Sequence, residues 1–387
     1  MKILYLGAIM PQNFHEQNTI FTFLKHGYEV SVINVNRCYF TDEITGVGKV
    51  EICNIYEEGD PYKGKIGRIY WELNNFGVIR GYKDIKDRMT RFIKKVNPDI
   101  IYCFFGSGIF NEINMILEMK LGIPLIHNLL CYPASLSYQL VKRENRQYSK
   151  IINSISGRIY PTETMFNYVK AAINPNRGVD IILMEYFSEK YFPHKRLPLL
   201  SSVDNEPHLV FLGRTDFSST RLIDDIREHI LEFVKAGIHI HLRAPAMNLP
   251  SNRYIHIFPT FDSSRTFNGE LSTFMTQFDG CLVLYNFVSR YCRDRFYNTL
   301  PSRFLFGMTT AIPIVLPEKS LISCEEIVKK YNIGLIYKDV DDLKEKLYDE
   351  TTMKKLSKNV LANHKKFTYE DNFYKLDNWI RKIITNQ

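Results

Sequence analysis

Two arginines seven residues apart, Arg214 and Arg221, bracket the polar loop Thr215-Asp216-Phe217-Ser218-Ser219-Thr220. The loop follows the strand-like run His208–Leu212 and Gly213, and leads into a helical pattern. Two guanidinium groups converging with a helix N-terminus would hold a diphosphate, because their planar forks match phosphate oxygens and the helix dipole favours negative charge. The competing reading pairs Arg214 with Asp216 and leaves Arg221 in solvent. A second anion candidate is Asn298-Thr299-Leu300-Pro301-Ser302-Arg303-Phe304. Its Pro-Ser step suits a helix start, with Ser302 able to cap and Arg303 in the first turn. Such a start serves phosphate, or is purely structural. Tyr285, ending the apolar run Gly280–Tyr285, is grouped with Asn298, Ser302 and Arg303 as ligand-binding.

Proton chemistry has fewer candidates. His127 ends the strand-like run Pro124–His127, as a catalyst or as a hydrogen-bonded structural histidine. His15 and Glu16 open the first long helix; Glu16 either favours the helix dipole or acts as base toward an acceptor hydroxyl. Asp339-Val340-Asp341-Asp342 looks like an acidic metal pattern but stands where N-cap and first-turn aspartates belong. HExxH, GxSxG, Walker and Cys/His sets are absent, so no metal is expected. Gly106-Ser107-Gly108 lacks the third glycine of a dinucleotide fingerprint.

The elements that must position these residues alternate as strand and helix. Ile3–Leu6 and Tyr28–Val35 read as strands around a helix from about His15 to Lys25. Ile85, Met89, Phe92, Ile93 and Val96 recur at helical spacing before the strand Ile100–Phe105, and a helix over Asn111–Lys120 leads to Pro124–His127. Periodicity lapses over Tyr191–Pro207, read as an interdomain linker. The pattern then restarts with His208–Leu212, a helix over Ser219–Ala236, and strands at Ile238–Leu242, Tyr254–Phe258, Gly280–Tyr285, Ile312–Pro317 and Ile333–Tyr337, with a helix at Leu271–Phe278. A last helix, about Tyr369–Ile384, carries Phe373, Leu376, Trp379 and Ile380 on one face. The expected class is α/β, with two Rossmann-like parallel-sheet domains facing across a cleft. Residues 1–190 would form the first, 208–368 the second, and 369–387 a helix returning to the first.

The chain has 387 residues, 45% hydrophobic and 24% charged, enough for two buried cores. Its net charge of +8 permits anionic partners without requiring nucleic acid, and none is expected. Seven cysteines show no CxxC pairing and read as reduced core residues of a cytoplasmic protein. No apolar run reaches the ~18 residues needed to cross a bilayer, and Met1–Gly7 reads as a first strand rather than a signal peptide. The basic stretch Tyr62–Lys95, interleaved with Tyr62, Tyr70, Trp71, Phe76 and Tyr82, suits peripheral contact with an anionic membrane; alternatively, its helix covers a sheet and its charges are a solvated face.

Taken in order, six segments resemble the GT-B glycosyltransferases, particularly the family-4-like group that uses nucleotide sugars. They are Met1–Gly7, Lys25-His26-Gly27-Tyr28-Glu29-Val30, Asn97-Pro98-Asp99-Ile100-Ile101-Tyr102, Pro161-Thr162-Glu163-Thr164-Met165, Phe211-Leu212-Gly213-Arg214 and Leu300–Pro317. The resemblance implies a nucleotide-diphosphate sugar held mostly by the second domain and an acceptor by the first. Arg214 falls on the family's phosphate-binding arginine, Arg221 near its partner lysine, and His127 on the histidine that faces the donor sugar. Phe306 and Asn298 stand where the family has glutamates, and Ala311 where it has a glycine. A phenylalanine cannot accept ribose hydroxyl hydrogen bonds, so the retaining or inverting outcome stays open.

The resemblance thus implies a glycosyltransferase, expected to be cytoplasmic, with the inner face of the membrane as an alternative setting, and metal-independent because Arg214, Arg221 and the amides near Ser302 would carry the leaving charge. It would move sugar to a glycan or glycolipid hydroxyl in cell-surface polysaccharide synthesis, with the nucleotide-diphosphate sugar as donor substrate and no cofactor. The alternative is a nucleotide- or glycan-binding protein that kept the scaffold and lost the reaction; a sugar-nucleotide epimerase is a third reading.

Overall fold

The computed structural model describes residues 1–7, 14–35, 43–44, 47–55, 83–104, 106–215, 217, 222–246, 248–287 and 292–386. Arg221, Asp216, Ser218–Thr220 and the aromatics Tyr62, Tyr70, Trp71, Phe76 and Tyr82 lie outside them, as do the side chains of His15 and Glu16. The chain divides into two compact units, one of Met1–Ser135, Gln139–Met184 and Tyr374–Gln387, the other of Leu136–Tyr138 and Glu185–Phe373.

In the first unit the described strands are β1 (Lys2–Gly7), β2 (Glu29–Asn34), β3 (Glu43–Ile44), β4 (Gly48–Lys49), β5 (Glu51–Asn54), β6 (Ile100–Phe104), β7 (Leu125–Asn128), β8 (Gly157–Tyr160) and β9 (Val179–Ile182). Seven of these pair in parallel, in the order β5-β2-β1-β6-β7-β8-β9, while β3 and β4 form a separate hairpin. Every residue of β6, β7 and β8 is buried. That is why β6, Ile100–Phe104, reads as an unbroken apolar run rather than an alternating one. The order reverses between β1 and β6, so a ligand crevice is expected beyond Gly7 and Phe104.

The helix Lys83–Val96 turns Ile85, Met89 and Ile93 into this core. Its Lys86 and Lys95 pair with Glu118 and Glu51. The stripe therefore does the covering work that its spacing suggested. The final helix, Tyr369–Thr385, contributes Leu376, Trp379, Ile380 and Ile383 to the buried set. Tyr28 donates its hydroxyl proton to Asp377 on that helix, and Arg381 Nε lies 3.0 Å from the same carboxylate.

In the second unit β10 (His208–Phe211), β11 (His239–Arg243), β12 (Ile255–Phe258), β13 (Gly280–Leu282), β14 (Ile314–Pro317) and β15 (Gly334–Tyr337) pair in parallel, in the order β12-β11-β10-β13-β14-β15. Here the order reverses between β10 and β13. Their C-terminal ends carry the Arg214 and Tyr285 candidates.

Three expectations differ from this fold. Residues 191–207 are fastened to the second unit rather than forming a linker. Leu200 N–H donates to Gln277 O at 2.9 Å, Leu197 N–H to Thr276 Oγ1 at 2.9 Å, and Arg196 Nη1 to Ala311 O at 3.0 Å. The helix expected over Ser219–Ala236 runs only from Arg227 to Lys235. Asp225 takes the Arg227 N–H at 3.3 Å and its guanidinium at 2.6 and 2.8 Å, which ends the turn Leu222–Asp224 and restarts the helix. The helices Tyr138–Ile151 and Glu163–Ile173, with β8 and β9, were not read from the sequence at all.

Gly157 in β8 gives a test of how the last helix is held. A Cβ there would lie 2.4 Å from Ile383 Cδ1 and 2.7 Å from the Trp379 ring. Overpacking of this kind costs about 1–3 kcal/mol. Gly157→Val should lower the urea midpoint accordingly, followed by the fluorescence of Trp379; an unchanged midpoint would mean the helix does not bear on β8.

Candidate functional site

The site in the second unit is organised by one buried cation. Arg303 stands in the first turn of the helix Ser302–Thr309 and is 9% exposed. Its Nη2 donates to Asp224 Oδ1 at 2.8 Å and its Nη1 to the Leu284 carbonyl. The guanidinium lies 3.9 Å from the Tyr285 ring centroid and 5.0 Å from that of Phe211. Charge, hydrogen bonds and two π faces together compensate its removal from water. Gly213 makes the room: a Cβ on it would sit 2.7 Å from Arg303 Cζ and 2.2 Å from Phe211 Cζ. Asn286 N–H donates to Ile223 O at 2.9 Å, tying the exit of β13 to the turn that carries Asp224.

The expected phosphate role of Arg303 needs correction on this geometry. Its guanidinium is committed to Asp224 and Leu284 inside the unit, so what it offers an anion is its backbone N–H. Ser302 does not cap its helix. Pro301 holds the N-cap position, where its carbonyl accepts from Phe304 N–H at 2.8 Å and Leu305 N–H at 3.1 Å. The amides of Ser302 and Arg303 thus have no acceptor within the helix. Ser302 is exposed, and so is Arg214, one residue beyond Gly213. Thr215 anchors the loop after Arg214, its Oγ1 within 2.7 Å of Arg243 O and 2.8 Å of Pro245 O. Asn298 is buried and inward-looking: its Nδ2 donates to Asp294 O at 2.7 Å, and its carbonyl accepts from Ser323 Oγ at 2.9 Å. Tyr285 forms the lid of the Arg303 pocket rather than an exposed stacking face. Phe306 is 5% exposed, within the core side of its helix.

In the first unit His127 is fully buried. It pairs in register with Cys103 of β6. Its Nδ1 lies 3.0 Å from Tyr148 Oη, and Phe110 and Tyr148 stack at 4.6 Å against its edge. Its Nε2 is buried and, among the described residues, makes no hydrogen bond of good geometry, with the Gly106 backbone near the ring. Burial pushes its pKa down to about 3, so the ring is neutral. Contact with a sugar would require the Phe110–Tyr148 cover to move. His15 and Glu16 lie in the first turn of the helix Phe14–Lys25. The sequence reading missed Glu112, 4% exposed with one unpartnered oxygen, whose carboxyl burial raises to about 7. A glutamate early in an amphipathic helix gives no sign of facing inward. Asp339, by contrast, accepts from Asp342 N–H at 2.9 Å and is the N-cap its position suggested.

No protein-family model and no curated protein matches the chain. Solved structures do match its fold. Sucrose-phosphate synthase from Thermosynechococcus elongatus aligns over 100% of both chains with a TM-score of 0.69 and 12% identity. Anabaena HepE, in complex with UDP and glucose, aligns over 98% of this chain and 99% of its own, with a TM-score of 0.64 and 11% identity. A glycosyltransferase from Rickettsia africae aligns over 100% and 99%, with a TM-score of 0.63 and 12% identity. The chain has the GT-B fold, two α/β units each built on a parallel sheet.

Two measurements probe these interiors. Asp224→Ala would strand the Arg303 cation in a site where its side chain is 8% exposed. Removing one partner of such a pair costs about 3–5 kcal/mol, so the variant should lose that much stability in urea unfolding. Glu112 binds its proton more tightly in the folded chain than in the unfolded one. Its contribution is therefore full below pH 4.5, the ordinary glutamate value, and is lost as pH rises toward 7. The stability of the native protein minus that of Glu112→Gln should fall by about 3 kcal/mol across that window. A pH-independent difference would show that the carboxyl is not buried.

Proposed function

We propose that the chain is a glycosyltransferase that moves a sugar from a nucleoside-diphosphate donor to a hydroxyl of a glycan or glycolipid. The observation that carries this reading is that exposed Arg214 directly follows Gly213, which packs on Arg303 in the first turn of the helix Ser302–Thr309. Arg214 lies at the C-terminal edge of a parallel sheet, beside its switch point, where such folds bind ligands. Support comes from the neighbours: HepE has been solved with UDP and with UDP-glucose.

In this reaction the acceptor oxygen forms a bond to the sugar's anomeric carbon while the bond from that carbon to the diphosphate oxygen breaks. The acceptor proton goes to a base, and negative charge collects on the departing diphosphate. Arg214, Arg221 and the two amides would carry that charge, with no divalent ion required. Glu16, at the start of the helix that follows β1, is the proposed base. His127 would act on the donor sugar through its buried Nε2 once uncovered. Cell-surface polysaccharide synthesis at the inner membrane face is the proposed setting. Among the described residues, no helix is long and apolar enough to cross a membrane.

A second reading has its own support. Asn298 and Phe306 stand where the resemblance places glutamates and carry no carboxylate for a ribose, and both are turned inward. A binding protein without transfer would look like this.

Incubation with a panel of nucleotide sugars and glycan extracts, scored by released nucleotide in the presence of a chelator, separates the two. Transfer is expected, and binding without release would favour the second reading. Arg214→Ala should weaken calorimetric nucleotide binding by about 10- to 100-fold, the loss of one charge-assisted contact worth about 1.5–3 kcal/mol. Glu16→Gln should slow transfer while leaving nucleotide affinity unchanged.

A further inference from the structure

At the opposite edge of the second sheet, four histidines share one face. His208 opens β10 and His239 opens β11, directly paired in register; His241 of β11 pairs with His256 of β12. His239 and His241 are two apart and so point the same way. The His208 and His239 rings stack at 4.2 Å with 4° between their planes, both nearly buried. Their Nε2 atoms meet two carboxylates. Asp204 Oδ2 lies 3.0 Å from His208 Nε2 and 3.6 Å from His239 Nε2, and Glu206 Oε2 lies 2.9 Å from His239 Nε2.

We propose that Asp204, His208 and His239 form a binding site for a divalent transition-metal ion, Zn2+ being the ion that fits. The three ligand atoms lie within 4.8 Å of one another. A tetrahedral Zn2+ with bonds of about 2.0 Å sets ligand atoms about 3.3 Å apart; the two Asp204 distances straddle that value, and the stacked His208 and His239 rings lean together at their Nε2 ends when the ion binds. Nitrogen and carboxylate donors together suit this class of ion rather than Mg2+ or Ca2+. Glu206 or a water would complete the shell.

Each ligand is oriented from behind. His208 Nδ1 is 2.8 Å from His241 Nε2, and His239 Nδ1 is 2.8 Å from His256 Nε2. Metal-bound imidazoles need such outer partners to fix their tautomer. Asp204 Oδ1 accepts from Glu206 N–H at 3.0 Å, while Tyr254 Oη and Arg253 donate to Glu206 Oε1 at 2.9 and 3.0 Å. One oxygen of each carboxylate is thus used by the protein and the other faces the histidines. Asp279 accepts from both Ser201 Oγ and His208 N–H at 2.7 Å, fastening the short turn that carries Asp204. Asp204 is exposed, which gives the ion a way in. With two carboxylates against Arg253 alone, neutral imidazoles leave the cluster anionic.

Binding moves protons without consuming them. With Nε2 protonated, each ligand ring donates to a carboxylate and accepts at Nδ1. A bound ion takes the Nε2 lone pair of each ligand ring, whose proton passes to its own Nδ1; His241 and His256 likewise move their Nε2 proton to their own Nδ1, so that their Nε2 atoms accept where they had donated.

The test uses full-length protein free of affinity tags, stripped with a chelator and titrated with Zn2+ by calorimetry. One equivalent should bind. His239→Asn, and Asp204→Asn at an exposed position that need not disturb folding, should each weaken binding at least about 10-fold; His256→Phe should do so from behind the ligand. His229→Asn, on a surface helix, should change nothing. Co2+ in place of Zn2+ should give weak ligand-field bands without thiolate charge transfer, and imidazole 15N shifts should report the tautomer exchange. Affinity unchanged in Asp204→Asn and His239→Asn, a thiolate band, or no equivalent bound would overturn the site. None of these outcomes depends on transferase activity.

Discussion

A buried guanidinium is costly unless its charge and its donors are met, and in the second unit meeting those needs fixes the site around it. Arg303 draws Asp224 from the turn after β10, the Leu284 carbonyl from the exit of β13, and the rings of Phe211 and Tyr285 onto one point. These groups come from both strands of the switch point and from the helix facing it. Because that point is dry, no member can shift without leaving a charge or a donor unmet. Gly213 is the steric counterpart, since any side chain there would meet Arg303 and Phe211. Arg214, one residue beyond Gly213, and the first amides of the helix Ser302–Thr309 inherit their positions from this knot.

The sheet skeleton was legible because parallel strands are buried on both faces. β1, β2, β6, β7, β10, β11 and β15 lie within a residue or so of their expected places, since short runs rich in apolar residues between turn residues leave little else to be. The region around residues 138–182 was not legible for the opposite reason. The helix Tyr138–Ile151 buries only Val141, Tyr148 and Ile151 along a charged surface, and β9 is an edge strand of half-buried residues. Capping was partly readable: Asp339 caps as its position suggests, whereas Pro301 takes the role expected of Ser302.

Site chemistry was less legible than fold, because it depends on which partners arrive from far away in the chain. Arg303 and Asp224 are 79 residues apart, and nothing local says that the arginine turns inward. His127 was placed on the correct strand, but whether a strand's last histidine faces a crevice or a core is decided by the helices that cover it, here through Phe110 and Tyr148. The four histidines carried a signal that went unused. An His-x-His at 239 and 241, in a strand beside strands with histidines of their own, is a same-face cluster once register is known.

The two edges of the second sheet differ in the charge they suit, and the reason lies in chain direction. Each helix that follows a strand starts near that strand's C-terminal end and returns to the other edge, so helix N-termini gather at one edge and helix C-termini at the other. The helix Ser302–Thr309 begins at the anion-favouring edge and delivers the chain to β14; the helix Arg227–Lys235 ends just before His239. Partial negative charge from such helix ends adds to Asp204 and Glu206 at the histidine edge. The proposed anion site and the proposed cation site at opposite edges of one parallel sheet therefore need no separate explanation. Each uses the field that the same right-handed crossovers create.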